Sequence, residues 1–197
     1  MSRLRLAILI SGRGTNMERL LEAAAEDGFP AIATLVLSNK ASAAGLDTAR
    51  NAGVEALAIP HRDFDDRESF ERAMDQALTD RGIEIIALAG FMRVLTPWFV
   101  GKWAGRLINI HPSLLPKYPG LNTHARAIEA GDVEAGCSVH WVTEGVDEGD
   151  VIAQARAPIL SGDTPDQLAN RVLAEEHKLY PRALAEACRL IRQRHAS

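Results

Sequence analysis

The stretch LRLAILISGRGTNMERLLEAA, residues 4–24, joins two unlike patterns across a glycine-bearing turn. Residues 4–10 are apolar, interrupted only by Arg5, and read as a first strand. Beyond the turn the apolar residues recur at helical spacing, predicting a helix over 16–26. Strand, tight turn and helix open a βαβ unit, and the pattern then repeats. Further strands are expected at 31–37, 54–59, 83–89 and 107–110, with helices at 43–52 and 66–81. Gly53 and Gly82 follow those two helices where a C-terminal glycine would stop them. The expected fold class is α/β, a doubly wound layer around a parallel sheet.

The second half changes character. Pro112, Pro116 and Pro119 with Gly120 make residues 111–123 a long loop, and a loop of that length in a compact domain is usually functional. A short helix near 125–130 and strands at 137–142 and 151–157 follow. The final helix is announced by Thr164 as cap, Pro165 in the first turn and Gln167 three residues after the cap. Pro181 is expected to kink or divide it, leaving 182–195 as a terminal amphipathic segment. With no internal repeat and no low-complexity linker, one domain over 1–197 is expected.

Composition narrows the function classes. At 47% hydrophobic and 24% charged, the 197-residue chain has globular balance, which excludes disorder, collagen and coiled coil. Its net charge of −4, with no long block of like charge, argues against nucleic acid as a partner. Cys137 and Cys188 lack metal or disulfide spacing, which suits a reducing compartment. The opening apolar run meets a glycine turn rather than a cleavage site, so it reads as a strand and not a signal peptide. No run approaches the roughly 18 apolar residues of a membrane span. A cytoplasmic protein without membrane or nucleic-acid partners is expected.

Four segments and one helix residue could carry chemistry. SGRGTN, residues 11–16, exposes backbone N–H groups at a helix N-terminus and suits a phosphate monoester. Met17 stands where a dinucleotide fingerprint needs its third glycine, which disfavours NAD. The same residues also suit a plain strand–helix turn. NIHPS, residues 109–113, places Asn109 and His111 on one face at the carboxyl end of a strand, where open α/β sheets bind ligands. An amide and an imidazole side by side can polarise a carbonyl and move a proton, or simply be hydrogen-bonded structure. In TEGVDEGD, residues 143–150, a buried Asp147 near His111 would raise the imidazole pKa and favour a general acid, whereas Glu148 and Asp150 read as a solvated turn. AGFMRVLT, residues 89–96, could wall a pocket for a flat heteroaromatic ligand, although Phe91 and Met92 equally suit core packing. Glu176 shares the inward helix face of Leu168 and Val172 and needs a partner such as a ribose hydroxyl or a buried Arg, a place Glu175 could also fill. Neither Ser113 nor Cys137 sits in a nucleophile elbow, so the attacking group should belong to a substrate.

Taken together, SGRGTN, AGFMRVLT, INIHPSLLPKYPG at 108–120 and the turn Asp147–Gly149 resemble the glycinamide ribonucleotide formyltransferase family. The resemblance runs from the first strand to EEHKLYP at 175–181. HPSLLP marks the wider superfamily that uses 10-formyltetrahydrofolate, while KYPG and the GTN turn are more selective. The resemblance implies a mainly parallel seven-stranded sheet flanked by helices. It implies transfer of a formyl group from 10-formyltetrahydrofolate to the amine of glycinamide ribonucleotide in de novo purine (IMP) biosynthesis, with no metal. His111 becomes the proton donor, Asn109 the oxyanion stabiliser and Asp147 the group that raises the His111 pKa. Gly14, Thr15 and Asn16 would hold the phosphate and Glu176 the ribose hydroxyls. The folate site would comprise Asn109, Met92, Arg93, Val94 and Leu95, together with Thr143, Glu144, Gly145, Val146 and Asp147, and Arg67 would meet the folate tail.

Two positions depart from the family pattern: Leu173 replaces a polar residue, which would shift phosphate contacts to Arg13, and Asp150 replaces a proline, which would loosen the Asp147 turn. A transfer-RNA formyltransferase would need a further basic domain that 197 residues at −4 do not accommodate. A formyltetrahydrofolate deformylase shares the Asn–His–Asp chemistry and is the alternative reading. A non-catalytic folate or nucleotide sensor would have no need of the full set. A monomer or weak homodimer is expected.

Overall fold

The computed structural model describes residues 2–196, without the side chains of His195 and Ala196. Met1 and Ser197, the ends of the expected domain, and the His195 side chain lie outside the described residues.

Five strands, β1 (Leu4–Ile10), β2 (Ala31–Ser38), β3 (Glu55–Ala58), β4 (Ile85–Leu88) and β5 (Leu107–His111), pair in parallel. Then β6 (Glu134–Trp141) and β7 (Val151–Pro158) extend the sheet antiparallel. Among the described residues this makes one mainly parallel sheet of seven strands, in the order β3-β2-β1-β4-β5-β6-β7. Alternation along β1 explains its two-sided burial. Leu6, Ile8 and Ile10 join one core and Ala7 and Leu9 the other. The first core takes α1 (Thr15–Ala25), α2 (Gly45–Asn51), α5 (Thr123–Glu129) and α6 (Pro165–Ala196). The second takes α3 (Arg67–Asp80) and α4 (Pro97–Lys102). No helix of the described residues is long and apolar enough to cross a membrane.

The order reverses between β1 and β4, and a ligand crevice forms at such a switch point beyond the carboxyl ends of the strands. The loops after β1 and β4 meet there: Ser11 N–H donates to Gly90 O, and Met92 N–H donates to the Ser11 hydroxyl at 2.8 Å.

Several boundaries differ from the sequence reading. Strand β4 excludes Ile83, whose N–H closes the end of α3 on Leu78 O. Strand β6 starts at Glu134 rather than 137 because its pairing with β7 begins there, a register no local pattern encodes. Helix α4 is additional: Thr96 caps it and Pro97 occupies its first turn. Pro181 does not divide the last helix, and α6 runs through it as one element. Its neighbours Leu179, Tyr180, Ala183 and Leu184 are all buried, and this packing outweighs one lost helical hydrogen bond.

Candidate active site

The turn after β1 is shaped by Gly14, whose φ of 71° lies in the left-handed region where glycine is at ease, immediately before α1. Thr15 and Asn16 therefore open the helix beside a cleft of about 270 Å³ that also reaches Lys40 and Gly90. From α6, Glu176 accepts a 2.7 Å hydrogen bond from Asn16 Nδ2, so the partner of this buried carboxylate is an amide and not an Arg. Burial pushes the Glu176 carboxyl above its ordinary value, opposed by that hydrogen bond. Asn16 Oδ1 is buried without a hydrogen-bond partner among the described residues, an acceptor left for a ligand. His177 Nε2 lies 3.2 Å from the Thr15 hydroxyl.

Strand β5 delivers Asn109 and His111, and Asp147 comes back to them from the turn between β6 and β7. His111 Nδ1 stands 3.2 Å from Asp147 Oδ2, and His111 Nε2 stands 2.9 Å from Tyr118 O. Both neighbours are acceptors, and only a doubly protonated imidazole donates to both. Gly120 N–H donates to the same Asp147 oxygen at 2.9 Å, which ties the 111–122 loop to the turn. Burial alone would raise the Asp147 carboxyl. The His140 imidazole, the Gly120 N–H and the charge of His111 outweigh it and hold the group below its ordinary value. Asp147 has φ 56°, a left-handed conformation that Asp tolerates better than most residues. The turn closes without the family's proline: Asp150 O accepts from Trp141 N–H, and Gly149 lies where a Cβ would fall 1.7 Å from Trp141 O.

His140 joins this group, although the sequence reading does not single it out. It faces Asn109 across the antiparallel β5–β6 pair. Its Nε2 lies 3.4 Å from Asn109 Nδ2 and 3.5 Å from Asp147 Oδ1, while its Nδ1 lies 2.9 Å from Trp141 O. A histidine inside the apolar run GCSVHWV is the available signal, but its neighbour depends on register. Ser138 is likewise missed: its hydroxyl donates to Ser113 O and accepts from Leu115 N–H, pinning the long loop.

Beside the Asn–His–Asp group lies a second cleft, about 130 Å³, whose walls include Phe91, Val94, Leu95 and Val142. Arg93, Asn109, Thr143, Glu144, Gly145, Val146 and Asp147 also line it. Met92 is 76% exposed and borders the cradle cleft instead, while Arg67 is exposed at the start of α3 and lines neither cleft. A larger cavity, about 640 Å³, lies elsewhere, lined by residues of α1, α2 and β2 among others. Its lining sets Arg3, Glu18, Glu22 and Thr48 among small and aliphatic residues and includes no imidazole or side-chain amide. Burial pushes the thiols of Cys137 and Cys188 up to about 12, which leaves both un-ionised and poor nucleophiles. Among the described residues no group of three or more His, Cys, Asp or Glu is placed to hold a metal.

An amide, two imidazoles and a carboxylate thus gather at the carboxyl edge of an α/β sheet, a grouping able to polarise a carbonyl and move a proton. Residues 4–184 match the family model described as formyl transferase, and the chain belongs to that family. It is 45% identical over 178 residues to phosphoribosylglycinamide formyltransferase of Escherichia coli, covering 90% of this chain and 84% of that protein. It is 49% identical over 185 residues to the trifunctional purine biosynthetic protein adenosine-3 of Drosophila pseudoobscura pseudoobscura; this covers 93% of the chain but 14% of the relative's length. The crystal structure of phosphoribosylglycinamide formyltransferase from Brucella melitensis superposes with a TM-score of 0.91 at 50% identity, covering 95% of this chain and 96% of that one.

Proposed function

We propose that the chain is an enzyme that transfers the formyl group of 10-formyltetrahydrofolate to the amine of glycinamide ribonucleotide, yielding formylglycinamide ribonucleotide and tetrahydrofolate in de novo purine biosynthesis. The observation that carries this reading is the grouping of His111 and His140 on Asp147, with Asn109 against His140, beside two clefts whose linings interleave along residues 88–95. Gly14, Thr15 and Asn16 hold the phosphate at the N-terminus of α1, and Glu176 accepts from the ribose hydroxyls. Arg93, Val94 and Leu95 on one side and Thr143 to Asp147 on the other enclose the pteridine. Met92 lies between the two substrates, and Arg67 reaches the folate tail from the rim.

The amine lone pair forms a bond to the formyl carbon, and the carbonyl π pair moves onto oxygen. Asn109 Nδ2 donates to that oxyanion, and His111 as imidazolium supplies a positive charge and a proton. The oxyanion pair then re-forms the carbonyl as the carbon–N10 bond breaks with its pair going to N10, which takes up the His111 proton, and the neutral imidazole takes the proton that the attacking nitrogen gives up. Ionised Asp147 stabilises the charge on His111, and His140 orients both Asn109 and Asp147. The nucleophile is an amine with its own lone pair, so the step calls for no metal-bound water and no covalent enzyme intermediate. The fold works as one formyltransferase domain of the cytoplasm, a monomer or weak homodimer acting on two small molecules.

Two variants test the assignment. His111→Ala and Asn109→Ala should each lower kcat by roughly two to four orders of magnitude while both substrates still bind. Loss of binding in step with turnover would make these residues structural and overturn it.

A further inference from the structure

Glu71 is a buried acidic group that the proposed reaction does not use. It lies on α3 at 1% exposure and forms no ion pair among the described residues. Its Oε1 accepts the Thr96 N–H at 2.8 Å, and its Oε2 accepts the Thr96 hydroxyl. Both oxygens of one carboxylate are thus spent on a single residue of the loop that walls the apolar cleft. A buried polar group has to be hydrogen-bonded, and here a single residue meets both oxygens, so the contact fixes Thr96 against α3.

Thr96 ends that wall and begins α4. Its hydroxyl caps α4 by accepting from Phe99 N–H at 3.4 Å, and its carbonyl accepts from Val100 N–H at 3.0 Å. The cleft residues Val94 and Leu95 precede it and Val100 follows it. The neighbouring residue of α3 holds the same loop from the other end, since the Arg93 guanidinium lies over the Phe70 ring at 5.7 Å. Helix α3 therefore grips the 91–96 segment at two adjacent positions, and neither Phe70 nor Glu71 lines the cleft.

We propose that Glu71 is a positioning residue for the folate: through Thr96 it sets the place of the Arg93 to Leu95 wall while touching neither substrate. This rests on the reading of the apolar cleft as the folate site. It predicts a split between the substrates, because the cradle cleft is lined by residues 11–16 and Lys40 and meets the loop after β4 only at Ala89, Gly90 and Met92, whereas Glu71 holds that loop at Thr96, beyond Arg93 to Leu95.

The test is calorimetric titration of Glu71→Ala, Glu71→Gln, Thr96→Val and the double variant Glu71→Ala/Thr96→Val with 10-formyltetrahydrofolate and, separately, with glycinamide ribonucleotide, alongside Tm. Glu71→Ala and Thr96→Val should each weaken folate binding by about tenfold, as expected for a lost buried hydrogen bond, and leave ribonucleotide binding within about twofold. The double variant should weaken folate binding by less than the product of the two single effects, since both lose the bond from the Thr96 hydroxyl, while Thr96→Val alone keeps the N–H bond to Glu71. Glu71→Gln keeps an oxygen for the Thr96 N–H and should recover most of the affinity. Equal weakening for both substrates, or a lower Tm with unchanged folate affinity, would overturn the proposal. If Glu71→Ala does not fold, Thr96→Val and Glu71→Gln decide by the same comparison. Wild-type protein that binds no 10-formyltetrahydrofolate would instead overturn the reading of the cleft, and this proposal with it.

Discussion

His111 Nδ1 and Asp147 Oδ2 stand 3.2 Å apart, and the same carboxylate oxygen accepts the Gly120 N–H. One oxygen therefore faces the imidazole charge and latches the loop that carries Tyr118, the acceptor for the other imidazole nitrogen. Asp147→Asn separates the two roles, because Asn tolerates the φ of 56° and its amide oxygen can still accept from Gly120. Steady-state kinetics should show kcat falling by roughly two to four orders of magnitude, with Tm and both substrate affinities nearly unchanged.

The cradle depends on a glycine from another helix. Gly45 N–H donates to Gly12 O at 3.1 Å, and a Cβ there would stand 2.5 Å from Ile10 Cδ1 and 2.9 Å from Arg13 O. The side chain of Ile10 can give way, but the Arg13 carbonyl moves only with the loop. Gly45→Ala should raise KM for glycinamide ribonucleotide by about tenfold or more and leave KM for the folate within about twofold. Asn16→Ala should split the two KM values in the same direction.

Glu176 links function to pH-dependent stability. Its carboxyl is held above the ordinary value by burial, so the folded chain keeps a proton that the unfolded chain has already released. The stability this group contributes is full below the ordinary glutamate value and is lost as pH rises through the folded value. In Glu176→Gln, thermal unfolding between pH 4 and 7 should lose part of this downward trend, with Tm at pH 7 equal to or above that of wild type. KM for the ribonucleotide should nevertheless rise, by roughly tenfold for a lost charged acceptor.

The opposite sign applies at the start of α6. Two hydrogen bonds from Arg171, at 2.6 and 3.0 Å, and one from Leu160 N–H lower the Asp163 carboxyl to about 2. Its stabilising effect is present above the ordinary aspartate value and is lost as pH falls toward about 2. Asp163→Asn should lower Tm at pH 7, and the difference from wild type should vanish near the folded pKa.

The parallel part of the fold was legible because burial on both faces leaves continuous apolar runs such as residues 4–10, each followed by a helix-period segment. Asn109 and His111 were legible for a related reason, since Pro112 ends pairing just beyond them at a carboxyl edge. What escaped depends on non-local pairing. His140 meets Asn109 only through the β5–β6 register, and Gly45 and Glu71 act on loops that lie 25 or more residues away in sequence. Pro181 misled because a local rule about helix interiors was outweighed by the burial of its neighbours. The local signals of α4, Thr96 followed by Pro97, were present, but the sequence reading assigned no element to residues 97–106.

The most direct test of the proposed function follows both products at once. Purified protein is incubated with 10-formyltetrahydrofolate, with and without glycinamide ribonucleotide, and tetrahydrofolate and formylated ribonucleotide are measured together. The account predicts that folate release requires the ribonucleotide and equals its formylation. Folate release without the ribonucleotide would mean hydrolysis, and no release under either condition would mean a sensor or another acceptor; each would contradict the transfer proposed for Asn109, His111 and Asp147.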